Sequence, residues 1–241
     1  MKFRLLGGTL PAAGFLWVAR GTWRCLQDPL AISRLVRRRA LASEASLARG
    51  RMVDVGAGVR PYTDLFCGHV DRIIAVEFPS SSPKAEVDVW GDAQALPLRT
   101  GSADTLLCVE VLEYLPDPLR ALQEFMRILR PGGRLLLTAP QIRGGSNEPN
   151  DYWRFGQQGL RLLARKAGVD EIVITPCGGL CASLGQRLSS WLYATLAERR
   201  RLPRRLVRAL CGIIQAPCWL ADQAGVGGEE TLHWLLMARK P

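Results

Sequence analysis

Two histidines, His69 and His233, are all that the 241 residues contain, too few to build a histidine metal cluster. The seven cysteines (Cys25, Cys67, Cys108, Cys177, Cys181, Cys211 and Cys218) form no Cys-x-x-Cys pair. An odd, scattered set of this kind argues against a disulfide framework. It reads as reduced thiols buried like small apolar side chains, so a cytoplasmic protein without a metal is expected. Also missing is an apolar run long enough to cross a bilayer, which takes about 20 residues. The best run, Leu5 to Ala19, follows Lys2 and Arg4 in the manner of a signal peptide, but Gly7, Gly8 and Pro11 interrupt it and no small-x-small cleavage site follows. A membrane-surface or cap helix, or an ordinary packed segment, is expected there.

With 48% hydrophobic and 22% charged residues the chain has the composition of a folded protein, and its length suits one α/β domain better than two. The net charge of +10 is unevenly placed. Nine Lys and Arg against Asp28 and Glu44 give residues 1–49 a net +7, and seven Arg against Glu198 and Asp222 give residues 176–228 a net +5. The remainder is slightly acidic, so the basic character belongs to the flanks. From Pro29 to Arg49 the pattern is helical, with Leu30, Leu35, Ala40, Leu41 and Ala42 on one face and Arg34, Arg37, Arg38 and Arg39 on most of the rest.

The chain is organised around Val53-Asp54-Val55-Gly56-Ala57-Gly58. A β-branched run ending in Gly-x-Gly reads as a buried parallel strand that delivers its end to a tight turn, where a ligand can approach the backbone. A first crossover helix is expected from Tyr62. Ile73-Ile74-Ala75-Val76 is a second strand ending in Glu77, a carboxylate placed to accept both hydroxyl hydrogens of a ribose. Val87-Asp88-Val89 is a short third strand, and Asp92 on the following Gly91–Pro97 loop is placed to bond an exocyclic amine. Ala103–Val109 is a fourth strand leading into Glu110-Val111-Leu112-Glu113-Tyr114. The amphipathic helix Pro118–Leu129 stops at Pro131-Gly132-Gly133, and Arg134–Pro140 is a fifth strand. Strands alternating with helices imply a parallel, doubly wound sheet.

This ordered series of motifs, over residues 51 to about 175, resembles the class I S-adenosylmethionine-dependent methyltransferases, and most of all the small-molecule branch with the type-eleven methyltransferase domain. The resemblance implies a Rossmann-like α/β fold, a doubly wound seven-stranded sheet, mostly parallel with the last strand antiparallel, over residues 50–241. It implies S-adenosylmethionine as cofactor. Gly56, Ala57 and Gly58 would lie against its methionine part, Asp54 would fix that turn and the ammonium, Glu77 would hold the ribose, and Asp92 with the amide of Ala93 the adenine. Glu110 would close over the cofactor, or serve only as a solvated acid at a helix start. Glu113 and Tyr114 are the candidates for a base or an orienting group. Relatives commonly carry His where Tyr114 stands, and a His-Glu-x-Pro stretch where this chain has Asn147-Glu148-Pro149. The acceptor chemistry is accordingly open at this point.

After the fifth strand the loop Gly144–Phe155 ends in Asp151-Tyr152-Trp153-Arg154-Phe155, a string similar to one in a bacterial subset of the family. These residues are expected to shape the acceptor pocket. The alternative is structural, with Asp151 bridging Arg154 and Trp153 in the core. Glu171–Ile174 is a sixth strand and Thr231–Ala238 a seventh, and about fifty residues separate them, too many for a structureless loop. Leu180, Leu184, Leu188, Leu192 and Leu196 recur at every fourth position, and Leu206, Leu210, Ile213 and Ile214 follow Pro203. A helical hairpin, inserted at about 178–228 as a cap over or beside the cofactor face, is expected. The fourth strand is not followed by an Asn-Pro-Pro-aromatic or Pro-Cys signature, which argues against nucleic acid. A small-molecule, glycan or lipid-linked acceptor is expected instead, and the basic flanks suit an anionic surface on the cytoplasmic face of a membrane.

Overall fold

The computed structural model describes residues 4–5, 8–9, 25–79, 86–142, 150–226 and 230–241. The apolar run at Leu5–Ala19 and the Asn147-Glu148-Pro149 stretch therefore lie largely or wholly outside the described residues. The chain divides into two compact units, one of Val36–Gly178 with Glu230–Pro241, the other of Met1–Leu35 with Gly179–Glu229.

The first unit is built on a seven-stranded sheet: β1 (Arg51–Val55), β2 (Arg72–Glu77), β3 (Val89–Trp90), β4 (Ala103–Val109), β5 (Leu129–Pro140), β6 (Ile172–Cys177) and β7 (His233–Arg239). Their order is β3-β2-β1-β4-β5-β7-β6. Neighbours are parallel except β7, which runs antiparallel to both β5 and β6. Both faces are covered, and the period-two alternation of the strands sorts their side chains accordingly. Val53, Val55, Leu106, Cys108, Leu135, Leu137 and Leu236 join Leu122 and Phe125 of α3 (Pro118–Ile128) and Leu160 of α4 (Gln157–Lys166) in one cluster. Met52, Leu107, Leu136 and Leu235 join Leu41 and Phe66 in another. Leu41 belongs to α1 (Ala31–Glu44) and Phe66 to the single-turn α2 (Thr63–Phe66). Helix α3 starts cleanly because the Asp117 carboxylate accepts the Arg120 amide at 3.0 Å and Pro118 holds the first helical position.

Some boundaries move from the sequence-based expectation. The third strand is Val89–Trp90, not Val87–Val89, and the fifth begins at Leu129. Leu129 already pairs with Ala103, and the Pro131-Gly132-Gly133 segment forms an irregularity in the ladder between Ala103 and Thr105. Helix α1 buries Ile32, Val36 and Leu41, while Leu30 and Ala42 are exposed.

The second unit holds α5 (Leu180–Leu192), continued by the π-helical turns Tyr193–Glu198, and α6 (Arg204–Gln223). The residues buried along α5 are Ala182, Ser183, Gly185, Gln186 and Ser189, and along α6 Val207, Cys211, Gly212 and Gln215. A Cβ on Gly185 would stand 2.6 Å from Cβ of Cys218, so only glycine permits so close an approach.

Candidate active site

The Gly-x-Gly turn leaves β1 at the carboxyl edge of the sheet, the edge where ligands of open parallel sheets bind. Gly56 has φ of 73°, and a Cβ there would lie 2.2 Å from Val111, so no other residue fits. The amides of Gly56 and Ala57 donate to the Val76 carbonyl at 2.9 and 3.2 Å, tying the turn to β2. At the tip of β2 the Glu77 carboxylate closes the arrangement. Its Oε2 accepts the Gly58 amide at 2.8 Å and its Oε1 the Phe78 amide at 2.8 Å. Behind the turn, Asp54 is buried, and that burial pushes its carboxyl up to about 7, with Arg60 opposing and Glu77 reinforcing the rise.

Asp92 and Ala93 sit on the loop after β3, which pairs with β2 through Glu77 and Trp90. Asp92 Oδ1 accepts the Gln94 amide at 2.8 Å, and Gln94 Oε1 accepts the Asp117 amide at 3.1 Å, so the loop is braced from the start of α3. The structure thus brings Asp54, Gly56, Ala57, Gly58, Glu77, Asp92 and Ala93 to the ends of three adjacent strands.

A second group lies beyond β4. Glu110 adopts φ of 56°, a left-handed conformation that costs a non-glycine residue on the order of 1 kcal/mol. Its Oε2 lies 2.9 Å from the Arg37 guanidinium and 3.1 Å from Nδ1 of His233, and its Oε1 accepts the Thr138 hydroxyl at 3.1 Å. Burial opposes charge on this carboxyl, yet the neighbouring His233 and Arg37 hold it down to about 2. Arg37 and His233 were not singled out as site residues by the sequence reading. In the sequence Arg37 is one of four arginines opposite the apolar face of the helix, and nothing but its place after Val36 distinguishes it.

Glu113 is fully buried in the turn Leu112–Tyr114, and Tyr114 is half-buried. The Glu113 carbonyl accepts the amides of Tyr152 and Trp153 at 2.8 and 3.2 Å, which fastens the aromatic loop beside β4. Asp151 and Arg154 form a two-pronged ion pair at 2.6 and 2.7 Å. Tyr152 and Trp153 are exposed, the Trp153 indole donating to the Leu115 carbonyl at 2.8 Å, and Phe155 is the aromatic residue that enters the core.

Residues 53–137 match the protein family described as "Methyltransferase domain". That likeness to a methyltransferase domain covers about a third of the chain. Over 124 residues this chain is 27% identical to a ubiquinone biosynthesis O-methyltransferase of Xanthomonas oryzae, an overlap of 46% of this chain and 52% of that one. The chain spans about half the length, or less, of the curated relatives it matches. Among solved structures, the [4+2]-cyclase SpnF is similar with a TM-score of 0.57 at 21% identity, over 88% of this chain and 81% of that one. A phosphoethanolamine N-methyltransferase 2 from Haemonchus contortus in complex with S-adenosyl-L-methionine is similar with a TM-score of 0.55 at 17% identity, over 85% and 52%. At these identities the likenesses show the fold alone, a Rossmann-like α/β sheet.

Proposed function

We propose that the chain is an S-adenosylmethionine-dependent methyltransferase acting on a small-molecule acceptor. The observation that carries this reading is the Gly58 amide held by the Glu77 carboxylate at the mouth of a methyltransferase-type sheet. The residues present fit the cofactor. Among the described residues, nothing stands within 4 Å of where a Cβ on Gly58 would lie, which leaves room over the turn. The Glu77 oxygens keep lone pairs for ribose hydroxyls, and the buried acid Asp54 is a group that a nearby cation would relieve. Asp54, Gly56, Ala57 and Gly58 would hold the methionine part, Glu77 the ribose, and Asp92 with the Ala93 amide the adenine.

When bound, the cofactor supplies a methyl group already activated on sulfonium sulfur. Transfer would be an in-line displacement, the acceptor's lone pair taking the methyl carbon while the carbon–sulfur pair stays on sulfur, so this chain's residues would have to hold the acceptor opposite that bond. The protein's share is to align the acceptor and exclude water, and to take a proton where the acceptor must lose one. Glu113 and Tyr114 are the candidates for that last role. Asp151, Tyr152, Trp153 and Arg154, hung from the Glu113 carbonyl, would form the acceptor side, and Glu110 would brace the junction between the two. The similarity to a ubiquinone biosynthesis O-methyltransferase supports an acceptor oxygen.

The proposed location is the cytoplasm, at the cytoplasmic face of an anionic membrane, on the strength of the basic flanks. No described helix is long and apolar enough to cross a membrane. The test is calorimetric titration with S-adenosylmethionine and S-adenosylhomocysteine, followed by an assay of S-adenosylhomocysteine release over a panel of phenols and hydroquinones. Cofactor binding without release in the presence of any acceptor would leave a binding module, and release only with nucleic acid would overturn the acceptor class.

A further inference from the structure

Helices α5 and α6 are built inside out for a pair in water. A helix on the surface of a soluble domain turns its apolar stripe inward and its polar face out. Apart from an aliphatic cluster of Val207 with Leu192, Leu196 and Leu202 near the connection, the inward faces here are small or polar. Gln215 donates to the Leu26 and Asp28 carbonyls at 2.9 and 2.8 Å and accepts the Ile32 amide at 3.1 Å, and Gln186 accepts the Ser33 amide at 2.9 Å. The Gln186 amide also donates to the Ser190 hydroxyl at 2.9 Å, so both buried side-chain amides are satisfied on each side. The apolar residues face outward: Leu180, Leu184, Leu188 and Trp191 lie on one side of α5, and Leu206, Ile213 and Leu220 recur every seventh position of α6. All seven are between 39% and 61% exposed. Small residues inside and leucines outside is the arrangement of helices that pack in lipid.

The charge identifies what meets this face. Between the two helices a cavity of about 490 Å³ is lined by Arg200, Arg201 and Arg204 with Ala197, Leu202 and Pro203. Arg199, Arg205 and Arg208 are exposed close by in the chain. A second copy of the same surface would bring like charges together, whereas an anionic bilayer complements the arginines and receives the leucines.

We propose that the α5–α6 hairpin is a membrane-docking element. Its outward apolar stripes enter the interface, and the arginine-lined cavity takes the phosphate of an anionic lipid headgroup. This deepens the membrane part of the function proposed above, rests on that part alone, and does not depend on methyl transfer.

The test is co-sedimentation of the full chain with vesicles of phosphatidylcholine containing about one-quarter phosphatidylglycerol, and with phosphatidylcholine alone, at low and high salt. The parent should pellet with the anionic vesicles at low salt and be released by high salt. Combined Arg200→Gln, Arg201→Gln and Arg204→Gln should weaken partitioning about 100-fold, at about fivefold per arginine. Leu184→Glu with Leu188→Glu should weaken it by at least about tenfold. Both positions are exposed, and circular dichroism checks that each variant is folded. If the parent and both variants pellet alike, the hairpin is not the docking element, although membrane binding through the N-terminal basic segment survives. A parent that stays in the supernatant ends both, and leaves the cofactor reading to its own titration. A vesicle-free dimer in sedimentation velocity that Leu184→Glu abolishes would assign the face to a second copy and overturn the proposal.

Discussion

Glu77 and Gly58, 19 residues apart in the chain, are joined by a 2.8 Å hydrogen bond from the glycine amide to the carboxylate. The bond joins the tip of β2 to the turn after β1, so one acid both fixes the turn and presents its remaining lone pairs over the carboxyl edge of the sheet. Loss of that acid therefore removes an orienting contact as well as the charge that the proposed function assigns to the ribose.

Glu77→Ala should weaken binding of S-adenosylmethionine and S-adenosylhomocysteine by about 1.5–3 kcal/mol, the contribution of charge-assisted hydrogen bonds. Calorimetric titration checks it. Wild-type affinity in the variant would remove Glu77 from the cofactor site.

Asp54 gives the site a pH dependence. Its carboxyl, pushed up to about 7 by burial, is protonated in about half of the free molecules at neutral pH, while a bound cation favours the carboxylate. Cofactor affinity should therefore rise about tenfold per pH unit below pH 7 and level off above it, and Asp54→Asn should flatten the profile. Stability runs the other way. Because the folded-state value is raised, the stabilisation is complete below about pH 4 and is lost as the pH rises through 7. Denaturant titration of the cofactor-free protein should find Asp54→Asn more resistant than the parent at pH 8 but not at pH 4.

The strands were legible in the sequence because each is a short β-branched or leucine-rich run closed by a residue with a local reason to be there: Gly56 after Val55, Glu77 after Val76, Asp92 after the third strand. The Arg37–Glu110–His233 cluster was not, because it joins a helix, a strand end and the last strand through contacts that no local spacing encodes. The leucines of α5 meet a related limit. Four-residue spacing shows that they share a side but not which side is covered, and Gly185 and Gln186, which are covered, carry no hydrophobic signal.

The Glu110 cluster has its own test. Arg37→Leu leaves the buried Glu110 carboxylate with one cationic partner fewer and should cost roughly 3–5 kcal/mol, the usual penalty for breaking a buried pair from one side. In the parent, the Glu110 carboxyl is held at about 2, below its ordinary 4.5, so its contribution is present above about pH 4.5 and is lost as the pH falls through 2. Denaturant midpoints at pH 7 and pH 3 should therefore lie closer together for Arg37→Leu than for the parent. An unchanged gap would show that the pair contributes nothing.

The proposed function puts acceptor handling on the aromatic loop and cofactor handling at the Gly-x-Gly turn. Tyr152 is exposed, and its only described side-chain hydrogen bond is to Asn150, so truncation should leave the fold intact. Tyr152→Ala is expected to lower kcat/KM about tenfold or more while cofactor affinity stays within about twofold, because an acceptor contact is lost and no contact at the Gly-x-Gly turn is touched. Arg154→Ala breaks the two-pronged pair with Asp151, whose side chain is only 8% exposed, and so should also lower the unfolding midpoint. Arg154→Lys keeps the charge but not the fork, and should recover the midpoint only in part. If both alanine variants lose cofactor affinity in proportion to turnover, the loop belongs to the cofactor site, and the acceptor must be sought elsewhere along the carboxyl edge.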